Sequence, residues 1–354
     1  MQLTPDQAQV FEAIKAFAVG DGPALATLSG YAGTGKTTIV GELVRALESV
    51  HMAVSAPTNK AVTVLREKTG ESHAEFATIH SLLGLRLKET PDGQQTCEPE
   101  GEASLHGYQV AIVDECSMLD ENLFASILSR RGQCRVLFVG DPAQLAPVAA
   151  RRGELSPTFG PLVKAHHALT EVVRQARENP IIRIATMARE RISCGQQLAL
   201  MDIAASLAPG DEAFLSIMDG GTWRAVEMTT DAIRAGLDVR ALAHDNKTVL
   251  QMNASIHALL HPGEPLWIEG VPAIAQSEFT MRTHKPGERI RVRNSELVTV
   301  RGVAEHEHEE DAHRPCLRLD LELPDGQRGH AFVPVDAHRW QLDVSNAFAE
   351  YRRL

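Results

Sequence analysis

The residues Gly30-Tyr31-Ala32-Gly33-Thr34-Gly35-Lys36-Thr37 carry the clearest chemical signal in the chain, because they match G-x-x-x-x-G-K-[ST] and stand between an apolar run and a helix-forming one. Glycines at this spacing let backbone N–H groups wrap phosphate oxygens, Lys36 sets a positive charge against β- and γ-phosphates, and Thr37 offers a hydroxyl to Mg²⁺. Gly33, Thr34, Gly35 and Thr38 complete the predicted phosphate-binding set, and ATP with Mg²⁺ is the predicted cofactor pair. Further on, Asp114-Glu115 closes the apolar run Val110-Ala111-Ile112-Val113. An acid there can hold Mg²⁺ through water, which puts Asp114 with Thr37 in the predicted metal set, while Glu115 can act as general base on an attacking water. The bland alternatives are a purely structural glycine turn and a solvated acidic pair.

The elements that must position these residues follow from the pattern around them. Short apolar runs at 24–29, 52–56, 109–113 and 135–139 alternate with helical periodicity, which predicts a parallel sheet covered by helices. Every candidate segment (30–37, 57–60, 114–118 and 140–148) follows the carboxyl end of such a strand, where open α/β sheets bind ligands. Residues 85–108 turn polar, with a Pro91-Asp92-Gly93 turn, and predict a β-hairpin insertion. A second α/β unit is suggested by a strand at 239–243 and a helix at 246–260. After about Arg289 the pattern alternates as in a small β-barrel, with strands at 317–323 and 330–335 around the turn Pro324-Asp325-Gly326.

Several of these segments resemble the motifs of superfamily 1 DNA helicases, with the Dda-like and RecD-like branch the most similar. Asp114-Glu115-Cys116-Ser117-Met118 and the segment from Gly140-Asp141-Pro142 to Val148 are similar to motifs II and III. Leu3-Thr4-Pro5-Asp6-Gln7 resembles the Q motif, Pro57-Thr58-Asn59-Lys60 lies in a segment similar to motif Ia, and Thr78-Ile79-His80-Ser81 resembles the next DNA-contacting motif. Leu169-Thr170-Glu171-Val172-Val173-Arg174-Gln175 resembles motif IV, and Asn246-Lys247 the family's A-F-T-N-K segment, with His244 and Asp245 in place of the usual Phe and Thr.

The resemblance implies roles residue by residue. Gln7 would read the adenine edge, Gln144 would sense the γ-phosphate, and Arg174 would act as an arginine finger. Pro57, Thr58, Asn59, Lys60, Thr78, His80, Ser81, Asn246 and Lys247 would contact single-stranded DNA, although a loop or helix-cap role is the alternative for the short polar ones. It implies an α/β fold of two RecA-like P-loop NTPase lobes, the second incomplete, with the hairpin and a small SH3-like β-barrel. The expected boundaries are 1–165, 166–288 and 289–354. The implied activity is ATP-dependent 5′-to-3′ translocation and unwinding, with single/double-strand junctions and DNA repair or replication proteins as partners.

Where the sequence departs from the family, the expectations change. Motifs V and VI are missing, so the expectation is a piece of a longer protein that binds nucleotide better than it turns it over. Residues 85–107 hold no Phe, Tyr or Trp to stack on a base at the tip of a strand-separating pin. A nucleotide-gated single-strand-binding module is therefore the rival reading, and a small-molecule ATPase or kinase a further one. The formal net charge of −11 argues against a protein that coats nucleic acid, while the basic stretch 282–293 is open between a solvated strand face and phosphate contacts. The run 305–313 (EHEHEEDAH) is read as a solvated loop rather than a metal site. With scattered cysteines, no leader-like start and no apolar run of about eighteen residues, the expected location is the cytoplasm.

Overall fold

The computed structural model describes residues 3–20, 22–31, 33–70, 72–89, 95–99, 105–147, 154–171, 179–194, 196, 198–208, 221–243, 245–275, 279–285, 287–293, 296–308 and 311–335. Two compact units divide the chain, Met1–Ser216 and Ile217–Leu354.

The first unit is built on six parallel strands: β1 (Leu25–Gly30), β2 (Met52–Ala56), β3 (Glu75–Thr78), β6 (Val110–Val113), β7 (Arg135–Gly140) and β8 (Ala165–Leu169), in the order β3-β2-β6-β7-β1-β8. Strands β2 and β6 are buried at every position, the behaviour of parallel strands covered on both faces. Successive side chains serve opposite layers. Ile112, Leu137 and Val139 pack with Ile14, Ile39 and Leu65 of the helices α1 (Pro5–Val19), α2 (Lys36–Ala46) and α3 (Asn59–Thr69). Val113, Val136 and Phe138 pack with Ile79 of α4 (Ile79–Leu82) and Phe124 of α5 (Glu121–Arg130). Each large apolar side chain buried this way contributes about 1.5–3 kcal/mol, so the framework under the site is its best-held part.

The hairpin forms as expected, with β4 (Leu85–Glu89) antiparallel to β5 (Gln95–Pro99); its Pro91-Asp92-Gly93 turn lies outside the described residues. Beyond the sheet come α6 (Pro180–Ser193) and α7 (Leu200–Ser206).

The second unit holds two helices, α8 (Gly221–Arg234) and α9 (Asn246–Leu260), packed through Val226, Met252 and Ile256. Its strands are β9 (Pro272–Ile274), β10 (Phe279–Arg282), β11 (Arg289–Val292), β12 (Leu297–His308), β13 (Asp311–Glu322) and β14 (Arg328–Pro334). They form an antiparallel sheet in the order β11-β10-β14-β13-β12-β9, around Met281, Val300, Leu319 and Leu321. The sheet lies where the SH3-like barrel was expected; among the described residues its order runs from β11 to β9, and it includes two strands before Arg289. Of the basic stretch 282–293, Arg282 ends β10 and Arg289 and Arg291 lie on β11, while the described part of the run 305–313, expected as a loop, lies on β12 and β13.

One expected strand does not form. Residues 239–243 are irregular, and Leu242 is 90% exposed. An apolar run becomes a strand only where a neighbour completes its ladder, and among the described residues none pairs with it.

Candidate active site

The phosphate loop leaves β1 at Gly30 and enters α2 at Lys36. Gly33 and Gly35 hold left-handed conformations, with φ of 79° and 91°, which turns the loop tightly enough to enclose an anion at the N-terminus of α2. Lys36 Nζ donates to the carbonyls of Gly30 (2.7 Å) and Tyr31 (3.1 Å), so in this conformation the ammonium is turned back onto its own loop. Burial pushes that ammonium below the ordinary lysine range, the carboxylates of Asp114 and Glu115 pull it back up, and Arg189 lowers it further. Thr34 is fully buried and donates to the Tyr31 carbonyl at 2.8 Å. Thr37 and Thr38 sit half-buried on the first turn of α2.

Gln7 joins α1 to this loop. Its Oε1 accepts from Thr4 N (3.1 Å) in a capping box, and its Nε2 donates to the Thr34 carbonyl (2.9 Å). An adenine edge would have to use the amide's remaining hydrogen and lone pair.

Asp114 follows β6 with its Oδ1 accepting from Glu115 N at 2.9 Å. Burial lifts its carboxyl to about 6; the Glu115 N–H bond and the Lys36 charge act against that rise, and the Glu115 charge adds to it. Glu115 is the one non-glycine residue with positive φ (53°) among the described residues, a conformation held only where the surroundings determine it. Ser117 Oγ is buried with no hydrogen-bond partner. Asp141, at the end of β7, accepts from Ala143 N with its side chain (3.0 Å) and from Gln144 N with its carbonyl (3.0 Å), which shapes the loop that presents Gln144.

Thr37, Asp114, Glu115, Gln144, Thr58 and Lys60 all line one cavity of about 940 Å³. The structure thus brings four of the predicted nucleotide residues and two of the predicted DNA set to one space. Thr58 is also the N-cap of α3, accepting from Ala61 N, and Thr78 caps α4, accepting from Ser81 N at 3.2 Å and bonded to Ser81 Oγ at 2.9 Å. Pro57 and Asn59 are half-buried beside Thr58. Burial lowers the pKa of His80, with Asp120 opposing the shift, which favours the uncharged ring. Asn246 and Lys247 lie in the other unit, on the first turn of α9, behind an Asp245 cap. Arg174 lies outside the described residues.

Two residues that the motif reading did not single out complete the site. Arg189 of α6 pairs with Asp141 and stands 3.9 Å from the Tyr31 ring centroid. Asp6 Oδ2 accepts from the backbone N–H groups of Thr170 (3.2 Å) and Glu171 (3.3 Å), tying α1 to the end of β8. Asp6 lies in the segment that resembles the Q motif, but no local pattern announces the partner of either residue.

A parallel sheet with a glycine-rich phosphate loop after β1 and an acid pair after β6 defines a P-loop NTPase core of RecA-like type. The chain belongs to the AAA domain family, whose model matches residues 2–205, and it is similar to helicases of the Dda-like and RecD-like branch of superfamily 1. It is 33% identical over 271 residues to the ATP-dependent RecD2 DNA helicase of Deinococcus radiodurans, covering 74% of this chain and 33% of that protein. It is 28% identical over 290 residues to the ATP-dependent DNA helicase dda of Enterobacteria phage T4, covering 77% of this chain and 62% of that one. The chain therefore spans about a third of the first relative and under two thirds of the second. Among solved structures it shares its fold with the Bacteroides Pif1 helicase in complex with ADP-AlF3 and ssDNA, at a TM-score of 0.50 and 16% identity, covering 93% of this chain and 74% of that one. Among the described residues, no helix is long and apolar enough to cross a membrane.

Proposed function

We propose that this chain is the ATP-hydrolysing core of a superfamily 1 DNA translocase that moves 5′-to-3′ on single-stranded DNA and unwinds duplex at single/double-strand junctions, in the cytoplasm and alongside DNA repair or replication proteins. The observation that carries the reading is the shared cavity, lined by Thr37, Asp114, Glu115 and Gln144 together with Thr58 and Lys60. A change at a γ-phosphate can there reach a DNA-contacting segment through a few side chains.

The residues fit ATP and Mg²⁺: the left-handed glycines leave a cradle at the start of α2, and Thr37 and Asp114 supply the oxygens a hard divalent cation takes. Bound there, Mg²⁺ supplies neutralising charge to the phosphates. Lys36 leaves its loop carbonyls for the β- and γ-phosphates, Gly33, Thr34, Gly35 and Thr38 bind phosphate oxygens, and Gln7 orients the base. Glu115 accepts a proton from the attacking water, Gln144 reports the γ-phosphate, and Arg174 meets the charge that develops in transfer. Pro57, Thr58, Asn59, Lys60, Thr78, His80, Ser81, Asn246 and Lys247 hold the strand by phosphate and stacking contacts.

The test is steady-state ATP hydrolysis with and without poly-dT for the chain and for Lys36→Ala. DNA-stimulated turnover that Lys36→Ala abolishes is expected, and normal turnover in Lys36→Ala overturns the assignment. The aromatic-free sequence of 85–107 favours a second reading, a nucleotide-gated single-strand-binding module without unwinding. Stimulated hydrolysis with no strand displacement on a forked substrate would select it.

A further inference from the structure

Arg189 lies outside every nucleotide motif, yet it bridges two of them. Its side chain is 16% exposed and ion-paired with Asp141, whose side chain is 5% exposed. Its guanidinium stacks on Tyr31, inside the phosphate loop, at 3.9 Å from the ring centroid. The Tyr31 carbonyl is one of the two oxygens holding Lys36 Nζ, and Asp141 shapes the loop carrying Gln144. Arg189 and Lys36 are close enough to act electrostatically on one another.

Two cations thus act on one another, each held by protein oxygens: Lys36 by the carbonyls of Gly30 and Tyr31, Arg189 by Asp141. A half-buried guanidinium in such a place needs an anion at all times, because a desolvated unpaired charge is costly. A planar, bidentate donor fits a terminal phosphate as well as it fits a carboxylate.

We propose that Arg189 is a specificity-determining residue for the triphosphate: it rests on Asp141 when the nucleotide site is empty or holds ADP, and turns to the γ-phosphate of ATP. The exchange releases Asp141 and with it the loop bearing Gln144, so the identity of the nucleotide is passed to that loop by one side chain. The stack on Tyr31 keeps the guanidinium oriented through the exchange. The proposal rests on ATP occupying the phosphate loop and names a contact beyond the motif residues.

The test is equilibrium binding of fluorescent ADP and of a fluorescent non-hydrolysable ATP analogue, both with Mg²⁺, to the chain, Arg189→Ala and Arg189→Lys. Arg189→Ala is expected to weaken the analogue by about 10-fold or more and to leave ADP within about 2-fold, since only the triphosphate carries the group that Arg189 meets. Arg189→Lys, which keeps the charge but not the planar fork, is expected to fall between. Unchanged ADP binding also shows that the variants are folded. Equal weakening of both nucleotides would make Arg189 a structural clamp between α6 and the phosphate loop, and an unchanged preference would remove it from the site; either overturns the proposal. Failure of the unmodified chain to bind either nucleotide would instead overturn the ATP reading on which it rests.

Discussion

Replacing Asp114 by Asn should stabilise the nucleotide-free protein while disabling it. Burial raises the Asp114 carboxyl from its ordinary 3.8 to about 6, so the ionised form is disfavoured in the fold. A group whose pKa rises on folding lends stability that is fully present below 3.8 and is lost as pH climbs through about 6, so at neutral pH its ionisation is a net cost. At about 1.36 kcal/mol per pKa unit, the rise is worth about 3 kcal/mol by pH 7.5 and about 1 kcal/mol at pH 4.5. Asn keeps the Oδ1 that accepts from Glu115 N and removes the titration, although its NH₂ group needs a partner of its own, which reduces the gain at pH 7.5 to about 1–3 kcal/mol. Urea denaturation in EDTA without nucleotide, at pH 7.5 and 4.5, measures it. The expected result is a midpoint raised at pH 7.5 and nearly matched at pH 4.5, beside ATP hydrolysis lowered by roughly 100-fold or more. A variant less stable than the parent at pH 7.5, or a gain independent of pH, would refute the reasoning.

Gly35→Ala should cost about 1–3 kcal/mol and abolish nucleotide binding, because the position has φ of 91° and an added methyl would run into Gln7 Nε2; thermal unfolding and ADP binding read both effects, and a variant that binds ADP normally would contradict the loop geometry. The paired change Gln7→Ala with Gly35→Ala should recover only part of the stability, since it removes the clash and leaves the backbone strain. Ser117→Ala should raise nucleotide-free stability by about 1 kcal/mol, because it removes a buried hydroxyl without a partner. If the same variant also slows hydrolysis, the hydroxyl serves the nucleotide-bound state; a loss of stability would mean that Ser117 is satisfied after all.

The parts of the fold that could be read from sequence are those whose burial leaves a local trace. Strands β2, β6 and β7 are covered on both faces, so each appears as a mostly apolar run, and 52–56, 109–113 and 135–139 fall within a residue of their bounds. Edge strands leave less. Among the described residues, Glu75–Thr78 pairs only with β2 and Ala165–Leu169 only with β1, and both carry polar or small residues that need no second cover. The opposite error arises at 239–243, which is apolar but has no partner in the described sheets. The phosphate loop and acid pair were legible because their function depends on fixed local spacing. The role of Asp141 as partner to Arg189 was not, because that contact joins β7 to α6 through tertiary packing. Thr58 and Thr78 show a different ambiguity: each is a helix cap by geometry, and a cap at a strand's carboxyl end already points its hydroxyl and the following N–H groups toward where a phosphate would lie.

The most direct test of the central claim is strand-coupled turnover: steady-state ATP hydrolysis by this chain across a titration of poly-dT, at fixed salt. The shared cavity predicts a hydrolysis rate that rises with DNA and saturates, and a rise that is lost when Thr58 and Lys60 are both replaced by Ala while basal hydrolysis persists. Hydrolysis that proceeds at one rate with or without DNA would contradict the coupling and leave a P-loop ATPase with some other substrate.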